Sequence, residues 1–192
     1  MDGPVPAATF GRMLRLFTAL TLPPDVTETL KRRQSGLPGA RWRPLDALHV
    51  TLAFYGETDE RRADDLASEL ARVAGGPFEI VLKGVGAFGD DHRSHTLWAG
   101  LETPNERLTV LAGRCKKAGE RAGLTLEARE YRPHVTLAYL KPQTNPDRIG
   151  AWMVGHNLLH SPPIRIDRFS LYSSVLTDGG SGHYDLEREY LL

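Results

Sequence analysis

One string of five residues occurs twice in this chain. His49-Val50-Thr51-Leu52-Ala53 returns letter for letter as His134-Val135-Thr136-Leu137-Ala138, 85 positions later. So short a match has to be supported by its surroundings. Ahead of the first copy runs Leu16-Phe17-Thr18-Ala19-Leu20, then a proline, then a helix-like stretch from Asp25 to Gln34 that ends at Gly36. Ahead of the second runs Leu97-Trp98-Ala99-Gly100-Leu101, then Pro104, then a helix-like stretch from Asn105 to Ala122 that ends at Gly123. Behind the first copy, Leu66, Leu70 and Val73 recur at helical spacing within Asp59 to Val73. Gly75-Gly76-Pro77 stops that helix, and Phe78 to Leu82 reads as a strand. Behind the second copy, Asp147 to Asn157 is a shorter helix, Pro162-Pro163 stops it, and Ile164 to Phe169 alternates as a strand. Each half reads strand, helix, strand with the repeat, helix, strand.

The doubled order implies an α+β fold. Two pseudo-symmetric lobes, each an antiparallel or mixed sheet with helices on its outer face, are expected to enclose a central cleft. The repeats run around residues 14–88 and 95–174 of a single bilobal domain covering 13–192, with residues 1–12 as a loose extension. Strand alternation sorts the side chains. His49, Thr51 and Ala53 point one way, and Val50, Leu52 and Phe54 the other. In the second copy His134, Thr136 and Ala138 share a face, opposite Val135, Leu137 and Tyr139. The apolar set suits packing under helices, which sends both His/Thr pairs to the open face.

Charge and cysteine content narrow the classes. The 24 Lys and Arg balance 24 Asp and Glu, so the charge excess that drives coating of long nucleic acid is missing. A local basic pocket for a nucleotide or an RNA end is still allowed. Cys115 is the only cysteine, which rules out an intrachain disulfide and a zinc site built on several thiolates. No stretch approaches the roughly 20 apolar residues that cross a bilayer. The run from Leu16 to Leu22 follows Arg15, meets Pro23-Pro24 and lacks a cleavage pattern, so it reads as a first strand. The expected setting is the cytoplasm, with no membrane association and no obligate protein partner.

Two imidazoles across one space suit in-line displacement at phosphorus. One takes a proton from the attacking oxygen and the other protonates the leaving oxygen, which an ordinary pKa near 6.5 permits. The threonine hydroxyls can donate to non-bridging oxygens as charge builds there. This chemistry calls for no metal and no other cofactor. A lone His-x-Thr in a strand is ordinarily structural. A duplication, however, has no packing reason to keep a polar pair on the exposed face of both halves. No Gly-x-Ser-x-Gly elbow and no phosphate loop ending in Gly-Lys-Ser or Gly-Lys-Thr is present.

These residues resemble the 2H phosphoesterase superfamily, and most closely its RNA 2′,3′-cyclic phosphodiesterase branch, the LigT-like or 2′-5′ RNA ligase family. Beyond the two His-Val-Thr-Leu motifs, the likeness takes in Arg15-Leu16-Phe17, Arg41-Trp42, Gly56-Glu57, Gly86-Ala87-Phe88, Leu97-Trp98-Ala99-Gly100, Arg132-Pro133, Phe169-Ser170-Leu171-Tyr172 and Tyr184. The resemblance implies hydrolysis of an RNA 2′,3′-cyclic phosphate to a 2′-phosphomonoester. It implies His49 as proton donor to the leaving 3′ oxygen, His134 as base for water, and Thr51 and Thr136 as phosphate holders. The implied partners are RNA 3′ ends or small nucleoside 2′,3′-cyclic phosphates. Other readings are 2′-5′ ligation or 2′-5′ phosphodiester cleavage, hydrolysis of another small cyclic phosphodiester, or RNA-end binding without chemistry. One departure stands out: many relatives carry an arginine where this chain has Tyr139, a side chain that strict alternation turns away from the cleft.

Further substrate-binding candidates follow. Arg132 shares strand parity with His134 and can steer phosphate, with a plain surface charge as the alternative. Arg41 and Arg43 precede the first motif and can contact the RNA backbone, although solvated charges are the ordinary reading. Phe17 and Trp98, taken as equivalents in the two halves, can flank a base or simply pack in the core. Tyr184 follows the loop Gly179-Gly180-Ser181-Gly182 and is a further stacking candidate. His92 and His95 have a spacing open to metal, but the stretch reads as a charged hairpin loop. His156, His160 and His183 have no recognisable partner.

Overall fold

The computed structural model describes residues 13–90, 93–175 and 183–192. The expected extension 1–12, His92 and the glycine-rich loop before Tyr184 lie outside them. In chain order the elements are β1 (Leu14–Thr21), α1 (Pro24–Lys31), β2 (Ala40–Trp42), a 3-10 turn (Leu45–Ala47), β3 (His49–Thr58), α2 (Glu60–Leu70), β4 (Phe78–Ile80) and β5 (Leu82–Asp90). There follow β6 (Arg93–Leu101), α3 (Glu106–Arg121), β7 (His134–Leu140), α4 (Pro146–His156), β8 (Ile164–Ile166), β9 (Arg168–Val175) and β10 (His183–Leu191). The fold is α+β with peripheral helices. An eight-stranded sheet runs β10-β9-β1-β3-β7-β6-β5 with β2 also beside β7, and β4 pairs with β8 in a second, small sheet.

Local chemistry sets the element ends. Asn105 caps α3 by accepting from the Leu108 amide at 3.0 Å, and Asn145 caps α4 by accepting from the Asp147 amide at 2.8 Å. Beyond α1 and α3 the chain turns at Gly36 and Gly123, whose φ of +76° and +77° suits a residue without Cβ. Leu66 and Leu70 on α2 are fully buried. The two expected strands Phe78 to Leu82 and Ile164 to Phe169 each break in two. Phe78 pairs with Ile166 and Ile80 with Ile164, and the chain then steps into the large sheet as β5 and β9. Strands β2 and β10 had no mark in the periodicity.

The connectivity crosses between the halves. β5 follows the first repeat yet pairs with β6 of the second half, and β9 follows the second repeat yet pairs with β1 of the first. β3 and β7 meet in a single antiparallel pair, Val50 with Val135, both fully buried.

The repeats themselves are not regular strands. In β3, Thr51 faces Ala19 and Ala53 faces Thr18, so Leu52 is an extra residue. In β7, Thr136 faces Trp98 and Ala138 faces Leu97, so Leu137 is the extra residue. The same pentapeptide thus bulges at the same leucine in both halves. The bulge resets the alternation, and this corrects the strict reading: Ala53 and Ala138 lie on the buried side, while Phe54 and Tyr139 turn outward, 45% and 37% exposed. The ladders also correct the pairing of the first strands. Trp98 corresponds to Ala19, and Phe17 to Thr96, two residues out from the expected match. Two short apolar strands carry no polar mark to set their alignment. Packing sets it instead: the Trp98 indole lies on Gly86 and leaves no room for a Cβ there.

Candidate active site

His49 opens β3 and His134 opens β7, each half-buried, with Thr51 and Thr136 two residues along. The antiparallel crossing at Val50 and Val135 sets each histidine towards the threonine of the other half. Among the described residues neither threonine hydroxyl has a hydrogen-bond partner. The face opposite carries Tyr55, whose ring packs on Gly119 of α3.

The backbone acts on both rings from behind. The His134 Nδ1 lies 2.7 Å from the Arg132 carbonyl. A carbonyl only accepts, so Nδ1 carries a hydrogen and the Nε2 lone pair of the neutral ring is free. The Ala47 backbone, also two residues back, acts on the His49 ring to raise its pKa. Aromatic walls differ between the two. His49 stacks on Phe17 at 5.0 Å and Tyr172 at 6.4 Å, with Tyr184 edge-on at 5.3 Å. Phe88 stands edge-on to His134 at 4.8 Å and lies 5.1 Å from Trp98. Phe88 and Tyr172 are counterparts by register, since they face Thr96 and Phe17.

Burial lowers the pKa of both rings, and charge adds to it at His49. Dehydration, then the Arg43 guanidinium, then His134 push His49 from 6.5 down to about 4, against the raising effect of the Ala47 backbone. Dehydration lowers His134 as well, against the Arg132 carbonyl. The influence of His134 on the His49 ring places the two histidines in one electrostatic site.

The other candidates separate. Arg43 is no solvated charge: it is 4% exposed. Its guanidinium carbon lies 5.4 Å from the Tyr139 ring centre and 5.3 Å from that of Tyr184. Its Nη2 donates to the Tyr184 hydroxyl at 2.8 Å. Arg41 lies 5.6 Å over Tyr139, and Arg15 lies 5.0 Å over Phe54. The Arg132 side chain is exposed and paired with Glu130 at 3.1 Å, while its carbonyl serves His134. Phe17 is buried against His49, and the Trp98 Nε1 is buried without a hydrogen-bond partner among the described residues.

His95 lies in β6, not in a hairpin loop. Hairpin pairing carries both strands to Asp90 and Arg93, so backbone hydrogen bonding overrides the charged composition there. His156 stacks on Trp152 at 4.4 Å, His160 bridges to Lys83, and His183 lies 3.1 Å from Asp185. Among the described residues no three His, Cys, Asp or Glu side chains converge as metal ligands. The sequence reading passed over Phe54, Phe88, Tyr139 and Tyr172 as site residues. Register relative to the repeat is the signal that locates all four.

Comparison with known proteins agrees with this layout. Residues 22–178 match the 2′-5′ RNA ligase superfamily. An RNA 2′,3′-cyclic phosphodiesterase of Thermotoga maritima is 32% identical over 179 residues, covering 87% of this chain and 90% of that protein. One from Escherichia coli is 28% identical, covering 91% and 94%. The crystal structure of E. coli LigT in apo form superposes with a TM-score of 0.75 at 25% identity, covering 95% of this chain and 99% of that one. The chain therefore belongs to the 2H phosphoesterase superfamily, within the LigT family of RNA 2′,3′-cyclic phosphodiesterases.

Proposed function

We propose that the protein hydrolyses RNA 2′,3′-cyclic phosphate ends to 2′-phosphomonoesters by two-histidine acid/base catalysis. The observation that carries this reading is the doubled His-x-Thr face, with the His134 imidazole tied from behind to the Arg132 carbonyl and both histidines in one electrostatic site. In this scheme His134 takes a proton from water through its free Nε2, and the water oxygen bonds to phosphorus. The bond from phosphorus to O3′ breaks, and His49 gives its proton to O3′. Thr51 and Thr136 hold the non-bridging oxygens. The relatives named above carry the same reaction in their names, which supports the substrate class.

Arg132, Phe17, Trp98, Arg43 and Tyr184 are the proposed substrate-binding set. Phe17 serves as a wall behind His49, and Arg132 acts through its carbonyl. The two halves are read as lobes of one bilobal domain whose open faces form the substrate cleft. Residues 13–192 make up that domain. A cytoplasmic setting is supported by one cysteine that is free and buried. Among the described residues no helix is long and apolar enough to cross a membrane.

The test is a product assay on an RNA ending in a 2′,3′-cyclic phosphate, resolving 2′- from 3′-monoester. His49→Ala and His134→Ala are each expected to lower turnover by about 10² to 10⁴ with native circular dichroism. Chelator should leave the wild-type rate unchanged. Undiminished turnover in both variants would sink the proposal. Tight binding without product would favour an RNA-end binding module instead, and faster cleavage of a 2′-5′ dinucleotide would move the substrate.

A further inference from the structure

Arg43 is a buried cation without a counter-ion among the described residues. Among the described residues no carboxylate comes within the 4.0 Å of an ion pair, although dehydrating a charge normally demands one. A guanidinium has five N–H donors, and the one hydrogen bond found for it, among the described residues, goes to Tyr184. The rings of Tyr139 and Tyr184 hold the plane of the group. Its charge bears on His49 and Tyr184, and neither is an anion at neutral pH. The duplication does not repeat it: the residue six before His134 is Ala128.

We propose that Arg43 binds the non-bridging oxygens of the reacting phosphate itself, held in place by Tyr139 and Tyr184, and so supplies a fixed cation to the site. This rests on the phosphodiesterase reading above. A diester carries one negative charge, and the five-coordinate transition state carries two on the same oxygens. A fixed cation therefore favours the transition state over the ground state. The bound anion also offsets the Arg43 charge, which acts after dehydration to keep His49 neutral. On substrate binding His49 therefore takes up from solvent the proton it then gives to the leaving oxygen.

Arg43→Met is expected to lower kcat/KM on a nucleoside 2′,3′-cyclic phosphate by about 100-fold or more with native circular dichroism. Arg43→Lys should recover only part, because a point charge replaces the planar fork. Adding Tyr139→Arg to Arg43→Met should restore turnover, since position 139 borders the same space. A fully folded Arg43→Met variant within about threefold of wild type overturns the proposal. Where a variant does not fold, the wild-type protein decides: the Arg43 side-chain NMR resonance should move on titration with inorganic phosphate. No movement at saturation overturns it. An inactive wild type whose Arg43 still responds to phosphate would fail the phosphodiesterase reading and not this one.

Discussion

The imidazole of His49 meets dehydration, a guanidinium and a second imidazole together, and its pKa falls from 6.5 to about 4. The folded state therefore resists a proton that the unfolded chain takes up once the pH drops below 6.5. Stability is fully present above 6.5 and falls with pH down to about 4, by about 3 kcal/mol for a shift of this size. His134 adds in the same direction. His49→Gln should flatten this acid loss, which urea unfolding at pH 4.5 and 7.5 would measure. In rate terms, kcat/KM should peak on the acid side of neutrality because it reports the free enzyme, while kcat should peak at higher pH. A kcat/KM profile flat from pH 5 to 8 would contradict the site electrostatics. Of these residues, the four in the repeats were legible as a string. The burial of Arg43 was not, because nothing in the letters Arg-Trp-Arg says which arginine a tyrosine pair will enclose.

Helices were the most legible elements, since a stop residue follows each and a side-chain cap opens α2, α3 and α4. Strands were legible in place but not in geometry. The leucine bulge in each repeat is the clearest case: alternation sends Phe54 and Tyr139 inward, and one inserted residue sends them out. Close packing between elements was equally hidden. A Cβ on Gly119 of α3 would lie 2.7 and 2.8 Å from the Tyr55 ring. That ring cannot easily yield, because its hydroxyl lies 3.2 Å from Thr18 Oγ1 and donates to the Cys115 carbonyl at 3.1 Å. Gly119→Ala is expected to cost about 1–3 kcal/mol, read as a lower urea midpoint; an unchanged midpoint would show that α3 can slide on β3.

At the scale of the molecule, β5 and β9 each pair with a strand of the other half, so the two halves are expected to fold as one unit. Residues 13–90 expressed alone should show collapsed NMR dispersion, because β5 would lack β6 and β1 would lack β9. A well-dispersed spectrum from that fragment would show that the halves fold independently. The sequence by itself determined the duplicated α+β order, the helices and the doubled His-x-Thr pairs, because each is written in local spacing and residue type. Tertiary structure alone decided which first-strand residues correspond, which half each outer strand joins, and which arginine loses its water. Those depend on contacts between residues far apart in the chain, where packing volume and hydrogen-bond register choose among alternatives that local pattern leaves equal.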